Sequence, residues 1–207
     1  MDMYQVNWTR LQSEIFRLFC VKSGVRLNIR EIARALRVTP TAVSKALPEL
    51  EKEGIVKIKK HGKINLVLVE FNRDNAKAIQ LKRAENLKFI YESGIFDRLY
   101  NEFPGCTIIL FGSYSKGEDV YTEEEENRSD IDIAVIGIMG KGVDVAKFEK
   151  ILERKININF YESFGKIHKN LKDSILNGIV LSGGLIYNDA ERFWRVPWQG
   201  DTQKMFT

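Results

Sequence analysis

The chain has 207 residues, 44% of them apolar and 29% charged, two cysteines and a formal net charge of +4. These proportions suit one large or two small globular cores and exclude collagen-like, disulfide-framed and intrinsically disordered classes. No apolar run approaches the ~18 residues of a membrane span, and the opening MDMYQVNWTR has no signal-peptide core, so the expectation is a cytoplasmic protein with no membrane partner. Cys20 and Cys106 lie too far apart in sequence to suggest a metal-ligand cluster. The charge is unevenly divided: residues 1–78 hold 15 Lys/Arg against 8 Asp/Glu, and residues 79–207 hold 17 against 20. A basic first third joined to a slightly acidic remainder suggests two domains with different partners, the first of them polyanionic; simple surface solvation is the alternative.

From Trp8 to Lys22, Leu11, Ile15, Leu18 and Phe19 recur at helical spacing, and Gly24 follows as a stop signal. A second helix has Asn28 as its cap and Glu31 three residues on, with Ile32, Ala33 and Leu36 as its buried side. Thr39 caps a third helix that opens with Pro40, where the missing N–H costs nothing, and Val43, Leu47 and Leu50 line its inner face. Only Arg37 and Val38 separate the second helix from that cap, the tight spacing of a helix-turn-helix. Two β-rich runs follow, Ile55–Lys60 and Lys63–Val69, around His61-Gly62, which reads as a hairpin. Residues 7–70 thereby resemble a winged helix-turn-helix domain, carried by EIARALRVTPTAVSKALPELEKEGIVKIKK. The resemblance implies double-stranded DNA as a partner, with Thr41, Ser44 and Lys45 on the exposed side of the third helix and Lys59, Lys60 and Lys63 near phosphates. Protein docking or homodimerisation is the other use of such a domain. Pro48 falls inside the third helix and is expected to remove a hydrogen bond and kink it.

Residues 72–103 read as packed connecting helices. Asn72 or Asp74 caps the first, with Ala76, Ile79, Ala84 (or the stem of Arg83), Leu87 and Tyr91 as its apolar stripe; Ile95 to Phe103 form the second.

The chemistry concentrates after Cys106. Cys106–Phe111 is a continuous apolar run, as for a strand covered on both faces, and it ends in Gly112-Ser113. A second strand opens with Asp130 and Asp132, which point to the same side because side chains alternate. Two adjacent carboxylates at the end of a buried strand call for a cation, and Mg²⁺ takes one or two carboxylates and fills its shell with water and substrate phosphates. Leu110-Phe111-Gly112-Ser113-Tyr114-Ser115-Lys116-Gly117 followed by Ser129-Asp130-Ile131-Asp132-Ile133 resembles the minimal nucleotidyltransferases of the DNA polymerase β superfamily, a likeness extending from about Ile95 to Asn188. The fold implied is α+β, with a nucleotidyltransferase-like mixed sheet flanked by helices behind the winged helix.

That resemblance implies Gly112, Ser113 and Lys116 at a nucleoside triphosphate, Asp130 and Asp132 as Mg²⁺ ligands and catalytic carboxylates, and transfer of a nucleoside monophosphate to an acceptor, a protein among the candidates. A solvated loop lysine is an equal reading of Lys116. Two departures stand out. Sixteen residues, 114–129, separate Ser113 from Asp130, more than the family's usual spacing; the excess around Tyr121–Asn127 reads as an acidic surface loop or a lid. Where the family places a third carboxylate, the strand 155–161 offers only Asn157 and Asn159, with Glu162 just beyond. Asparagine lends an oxygen to a metal but cannot accept a proton. A DNA-binding regulator that senses nucleotide without turnover, antitoxin-like by resemblance, is therefore the alternative to an enzyme.

The remaining expectations concern the end of the chain. Phe164 to Leu176 form an amphipathic helix carrying a solvent-facing or satisfied His168, and Ile179–Tyr187 form a last strand. The aromatic tail 191–207 docks on the body or on a partner subunit, or stacks on bases. The domains thus run 1–71, 72–103, 104–190 and 191–207.

Overall fold

A computed structural model describes residues 7–61, 66–140 and 142–184. Lys63, the distal part of the last strand and the aromatic tail lie outside the described residues. The winged helix begins with α1 (Arg10–Val21), which a capping box of Thr9 and Gln12 starts. A short strand β1 (Arg26–Asn28), not foreseen from sequence, leads into α2 (Ile29–Leu36), and Asn28 caps it with Glu31 closing the box as expected. Arg37 ends α2 in the left-handed region at φ 55°, a tight turn that any side chain except glycine enters at a cost. Thr39 caps α3 (Pro40–Lys52), which runs through Pro48 to Lys52. The wing is β2 (Val56–His61) paired antiparallel with β3 (Leu66–Phe71), and β1 adds to the other edge of β3. Ile15, Phe19, Ile32, Val43, Leu47, Leu50, Ile55 and Val69 close the core between them, each at most 2% exposed; burial of such side chains stabilises by about 1.5–3 kcal/mol apiece.

Asn75, rather than Asn72 or Asp74, caps α4 (Ala76–Ser93), which α5 (Ile95–Glu102) follows directly after a left-handed Gly94. The expected stripe of α4 is also displaced. Its buried positions are Ala78, Lys82, Asn86 and Ile90, while Ala76, Ala84 and Tyr91 are exposed. The reason is polar: Lys82 and Asn86 find buried partners, so the inward face is selected by hydrogen bonding that apolar periodicity does not register. Ala78 belongs to the first core and Ile90 to the second.

The second unit is a mixed four-stranded sheet in the order β6-β5-β4-β7. Its strands are β4 (Thr107–Phe111), β5 (Ile131–Ile136), β6 (Ile156–Tyr161) and β7 (Ile179–Ser182). β4 pairs antiparallel with β5 and β7, whereas β5 and β6 run parallel and α7 (Ala146–Leu152) lies in the crossover between them. The apolar run of β4 is covered on both sides: Ile108 and Leu110 face one core with α4, α5 and α7, and Ile109 and Phe111 face another with Phe164, Ile167 and Ile175. A short helix α6 (Gly112–Lys116) follows β4, and α8 (Lys169–Leu176) precedes β7. The expected helix from Phe164 is broken: Phe164–Lys166 form a separate 3-10 turn, and His168, exposed as expected, stands before α8 and caps it by accepting the Asn170 N–H at 3.4 Å.

Candidate functional sites

Two surfaces carry chemistry. On the winged helix, Thr41, Ser44 and Lys45 stand exposed on α3, opposite the buried Val43 and Leu47, where a groove-entering helix presents its side chains. Arg30 and Arg34 stand exposed one turn apart on α2, and Arg37 is exposed in the turn between the helices. These three arginines put positive charge on the exposed side of α2 and its turn, opposite the buried Ile32, at a spacing the sequence itself shows. The wing lysines divide. Lys59 is held by Glu70 at 2.8 Å, and Glu70 also accepts from Arg26 at 2.6 Å. Lys60 is exposed and points to the opposite face of the hairpin, because neighbouring side chains alternate. Lys60→Glu is therefore expected to weaken association with duplex DNA and to lower the slope of log K against log salt by about 1, read by fluorescence anisotropy over a salt series. Lys59→Glu is expected to act less on that slope, its cation being already balanced by Glu70.

On the sheet, Asp130 and Asp132 converge at the opening end of β5. The register partner of Asp132 on β6 is Asn157, whose Nδ2 donates to Asp132 Oδ1 at 3.3 Å and also to Asp130 Oδ2 at 3.0 Å. One amide N–H₂ thus sits between two carboxylates. Burial pushes the Asp132 carboxyl above the usual aspartate range; the Asn157 hydrogen bond opposes this and the neighbouring Asp130 charge adds to it. Gly112 lies at the next strand's end with φ 77°, and a Cβ there would stand 2.5 Å from Asp132 Oδ2. Both the left-handed backbone and the carboxylate's close approach therefore require glycine. Ser113 is partly exposed beside it, and Lys116 is exposed at the end of α6.

The other third-position candidates do not reach this point. Asn159 is in register with Ala134, two residues farther along β5, and Glu162 is exposed past the far end of β6. Five residues of strand place Glu162 about 16 Å from Asn157. Among the described residues no group of three or more His, Cys, Asp or Glu side chains is placed to hold a metal. A carboxylate pair of this kind nevertheless fits a Mg²⁺ that draws its other ligands from water and phosphate.

The acidic insertion is more than a surface loop. Glu123–Glu126 are exposed as expected, but Asp119 is fully buried and Tyr121 is 8% exposed. Asp119 pairs with Lys82 through Oδ1 and with Arg154 through Oδ2 at 3.1 Å, and Asn86 donates to Oδ1 at 2.7 Å. Arg154 also donates to the Val21 carbonyl at 2.8 Å. No sequence signal marked this cluster, whose members come from three separated segments.

Among protein families, residues 18–57 match the model described as winged helix-turn-helix DNA-binding. No curated protein matches the chain. Solved structures share parts of it. The adhesin competence repressor AdcR of Streptococcus pyogenes is 21% identical over 47% of this chain and 69% of its own, with a TM-score of 0.36. ZitR of Lactococcus lactis, titled a zinc-responsive MarR family member, is 22% identical over 49% and 67%, with a TM-score of 0.36. The transcriptional regulator BldR of Sulfolobus solfataricus is 21% identical over 46% and 64%, with a TM-score of 0.33. Overlaps of this extent describe a partial likeness of chain path and nothing of function. No helix among the described residues is long and apolar enough to cross a membrane. The chain is an α+β protein that opens with a winged helix-turn-helix DNA-binding domain.

Proposed function

We propose that this protein is a DNA-binding regulator whose second unit binds a nucleoside triphosphate with Mg²⁺, in the manner of a minimal nucleotidyltransferase that has lost turnover. The observation that carries the reading is the Asp130–Asn157–Asp132 arrangement. Two convergent carboxylates supply the negative charge a divalent cation needs, and Gly112 and Ser113 border the same point. When bound, the cation would neutralise the triphosphate. Asp130 and Asp132 would hold it, Gly112 would let the backbone lie close to the phosphates, and Ser113 would offer them a hydroxyl.

What the site lacks, among the described residues, is a base. The side chain in register with Asp132 is an asparagine, which cannot take a proton from an acceptor hydroxyl. Glu162 is too distant to replace it. Binding without transfer is therefore favoured. Nucleotidyl transfer to DNA or to a protein acceptor is the second reading, supported by the retained carboxylate pair, since phosphoryl chemistry rests largely on positioning and charge neutralisation. Incubation of the full chain with α-labelled ATP, GTP, CTP or UTP, Mg²⁺, duplex DNA and cell lysate separates the two. Retention of label on the protein with none made covalent on any acceptor is expected; covalent label that Asp130→Asn/Asp132→Asn abolishes establishes the enzyme. A second copy of the chain is a natural partner if the DNA site is a paired half-site.

A further inference from the structure

The loop between Ser113 and Asp130 joins the two halves of the proposed nucleotide site, and it also bonds to the winged helix at Ser23. At its start, the Glu118 N–H donates to the Ser113 carbonyl at 3.0 Å. At its end, Ser129, the residue before Asp130, is locked to Val120: the Ser129 N–H donates to the Val120 carbonyl at 2.9 Å and the Val120 N–H to Ser129 Oγ at 2.9 Å. The next residue, Tyr121, donates its N–H to the Ser23 carbonyl at 2.6 Å, in the turn between α1 and β1. From the Asp130 backbone to the winged helix the path is Ser129, Val120, Tyr121 and Ser23, all hydrogen-bonded or adjacent.

The contact is closely fitted and ionic. A Cβ on Gly24 would stand 2.7 Å from Val120 Cγ1 and 2.8 Å from the Tyr121 carbonyl oxygen. The Tyr121 ring is faced by Lys22 at 3.9 Å, Arg128 at 4.2 Å and Arg154 at 5.0 Å from its centroid, contributed by the winged helix, the loop and the sheet unit respectively. Lys22 also pairs with Glu153. One residue before Val120, Asp119 binds Lys82 and Arg154, and Arg154 donates to the Val21 carbonyl, so the same loop is tied to groups that seat α1 and α4.

We infer that nucleotide occupancy at Asp130 and Asp132 is thermodynamically linked to DNA binding by the winged helix, and that the loop 117–129, through Val120–Ser129 and Tyr121–Ser23, carries the linkage. The inference rests on the nucleotide site proposed above. Linkage requires reciprocity: the factor by which nucleotide changes DNA affinity equals the factor by which DNA changes nucleotide affinity, and couplings of this kind amount to about 5- to 150-fold. The factor reflects how differently each ligand binds the two settings of this contact, which Lys22 and Tyr121 help to hold together.

The experiment uses the full chain, a fluorescein-labelled mixed-sequence duplex at low salt, and MgATP, MgGTP, MgCTP and MgUTP. Nucleotide affinity is measured first by calorimetry without DNA, then DNA affinity by anisotropy with and without saturating nucleotide. The expected result is a change in DNA affinity of fivefold or more, matched by the reciprocal change in nucleotide affinity, and a fall of that factor towards 1 in Tyr121→Leu and in Lys22→Ala while each ligand still binds the variant alone. Lys22 is partly exposed and its truncation spares the buried cluster, so that variant remains informative if Tyr121→Leu fails to fold. Nucleotide binding with unchanged DNA affinity overturns the linkage and leaves the nucleotide site standing. A factor undiminished in both variants overturns the route assigned here. Absence of any nucleotide binding overturns the site and the linkage together.

Discussion

Asp119→Ala is expected to lower the stability of the folded chain by about 3–5 kcal/mol, the loss typical when one member of a buried ion pair is removed and its partner is left uncompensated. Asp119 faces two cations, Lys82 and Arg154, and all three side chains are at most 1% exposed. Burial pulls the Lys82 ammonium below its usual pKa, and the Asp119 charge and hydrogen bond work against that fall. Without the carboxylate, two positive groups and the Asn86 amide remain in a space walled by α4, the loop and the Arg154 segment. Lys82→Met is expected to cost less than Asp119→Ala, since Asp119 keeps Arg154 and Asn86 as partners and the methionine fills the lysine's volume. Urea denaturation of the three proteins checks the order. Equal losses for the two variants would contradict the role given to Asp119.

Asp132→Asn is expected to separate function from stability. It removes one of the two carboxylates that would hold the cation, and nucleotide affinity in Mg²⁺ should fall by more than the roughly 10- to 100-fold that loss of a supporting hydrogen bond costs a metal site. The apo fold should become more stable at neutral pH. Burial raises the Asp132 pKa above its unfolded value, so its favourable contribution is complete below the ordinary aspartate pKa of about 3.9 and is lost as pH rises through the raised value. Asparagine has no such loss. Thermal unfolding across that window should show the parent declining relative to the variant, the pattern of a site that holds charge for a ligand at the expense of its own fold. A variant less stable than the parent at neutral pH would mean that the Asn157 bridge to Asp132 outweighs the cost of burying it.

How much of this was legible in the sequence depended on the range of the interactions. The caps at Asn28 and Thr39 and the turn at Arg37 are set by neighbours within four residues, and each is found where the residues indicate it; the hairpin forms too, but β2 runs through His61, which pairs with Leu66 instead of turning. The β4 run was legible for a similar reason: unbroken apolarity has one structural solution, coverage on both faces. β1 escaped because three residues have no periodicity of their own and become a strand only by pairing with β3. The face of α4 was misread because Lys82 and Asn86 are polar, and their burial is decided by Asp119, 37 and 33 residues away in sequence. At the candidate site, alternation was enough to put Asp130 and Asp132 on one side and Asn157 and Asn159 on the outer face of β6. Which asparagine meets the carboxylates was fixed only by the parallel register of β5 and β6, a tertiary quantity. The exposed arginines at 30, 34 and 37 are local too, since i, i+4, i+7 spacing alone puts them on one side of α2 and its turn.

In the proposed reading, a basic DNA-reading module is joined to a carboxylate pair suited to a cation and a triphosphate. Calorimetric titration of the full chain with each nucleoside triphosphate, in Mg²⁺ and again in EDTA, tests it most directly. Saturable heat is expected in Mg²⁺ for at least one nucleotide, absent in EDTA and absent in Asp130→Asn/Asp132→Asn. Binding that persists in EDTA or in the double variant, or no heat with any nucleotide in Mg²⁺, would contradict it.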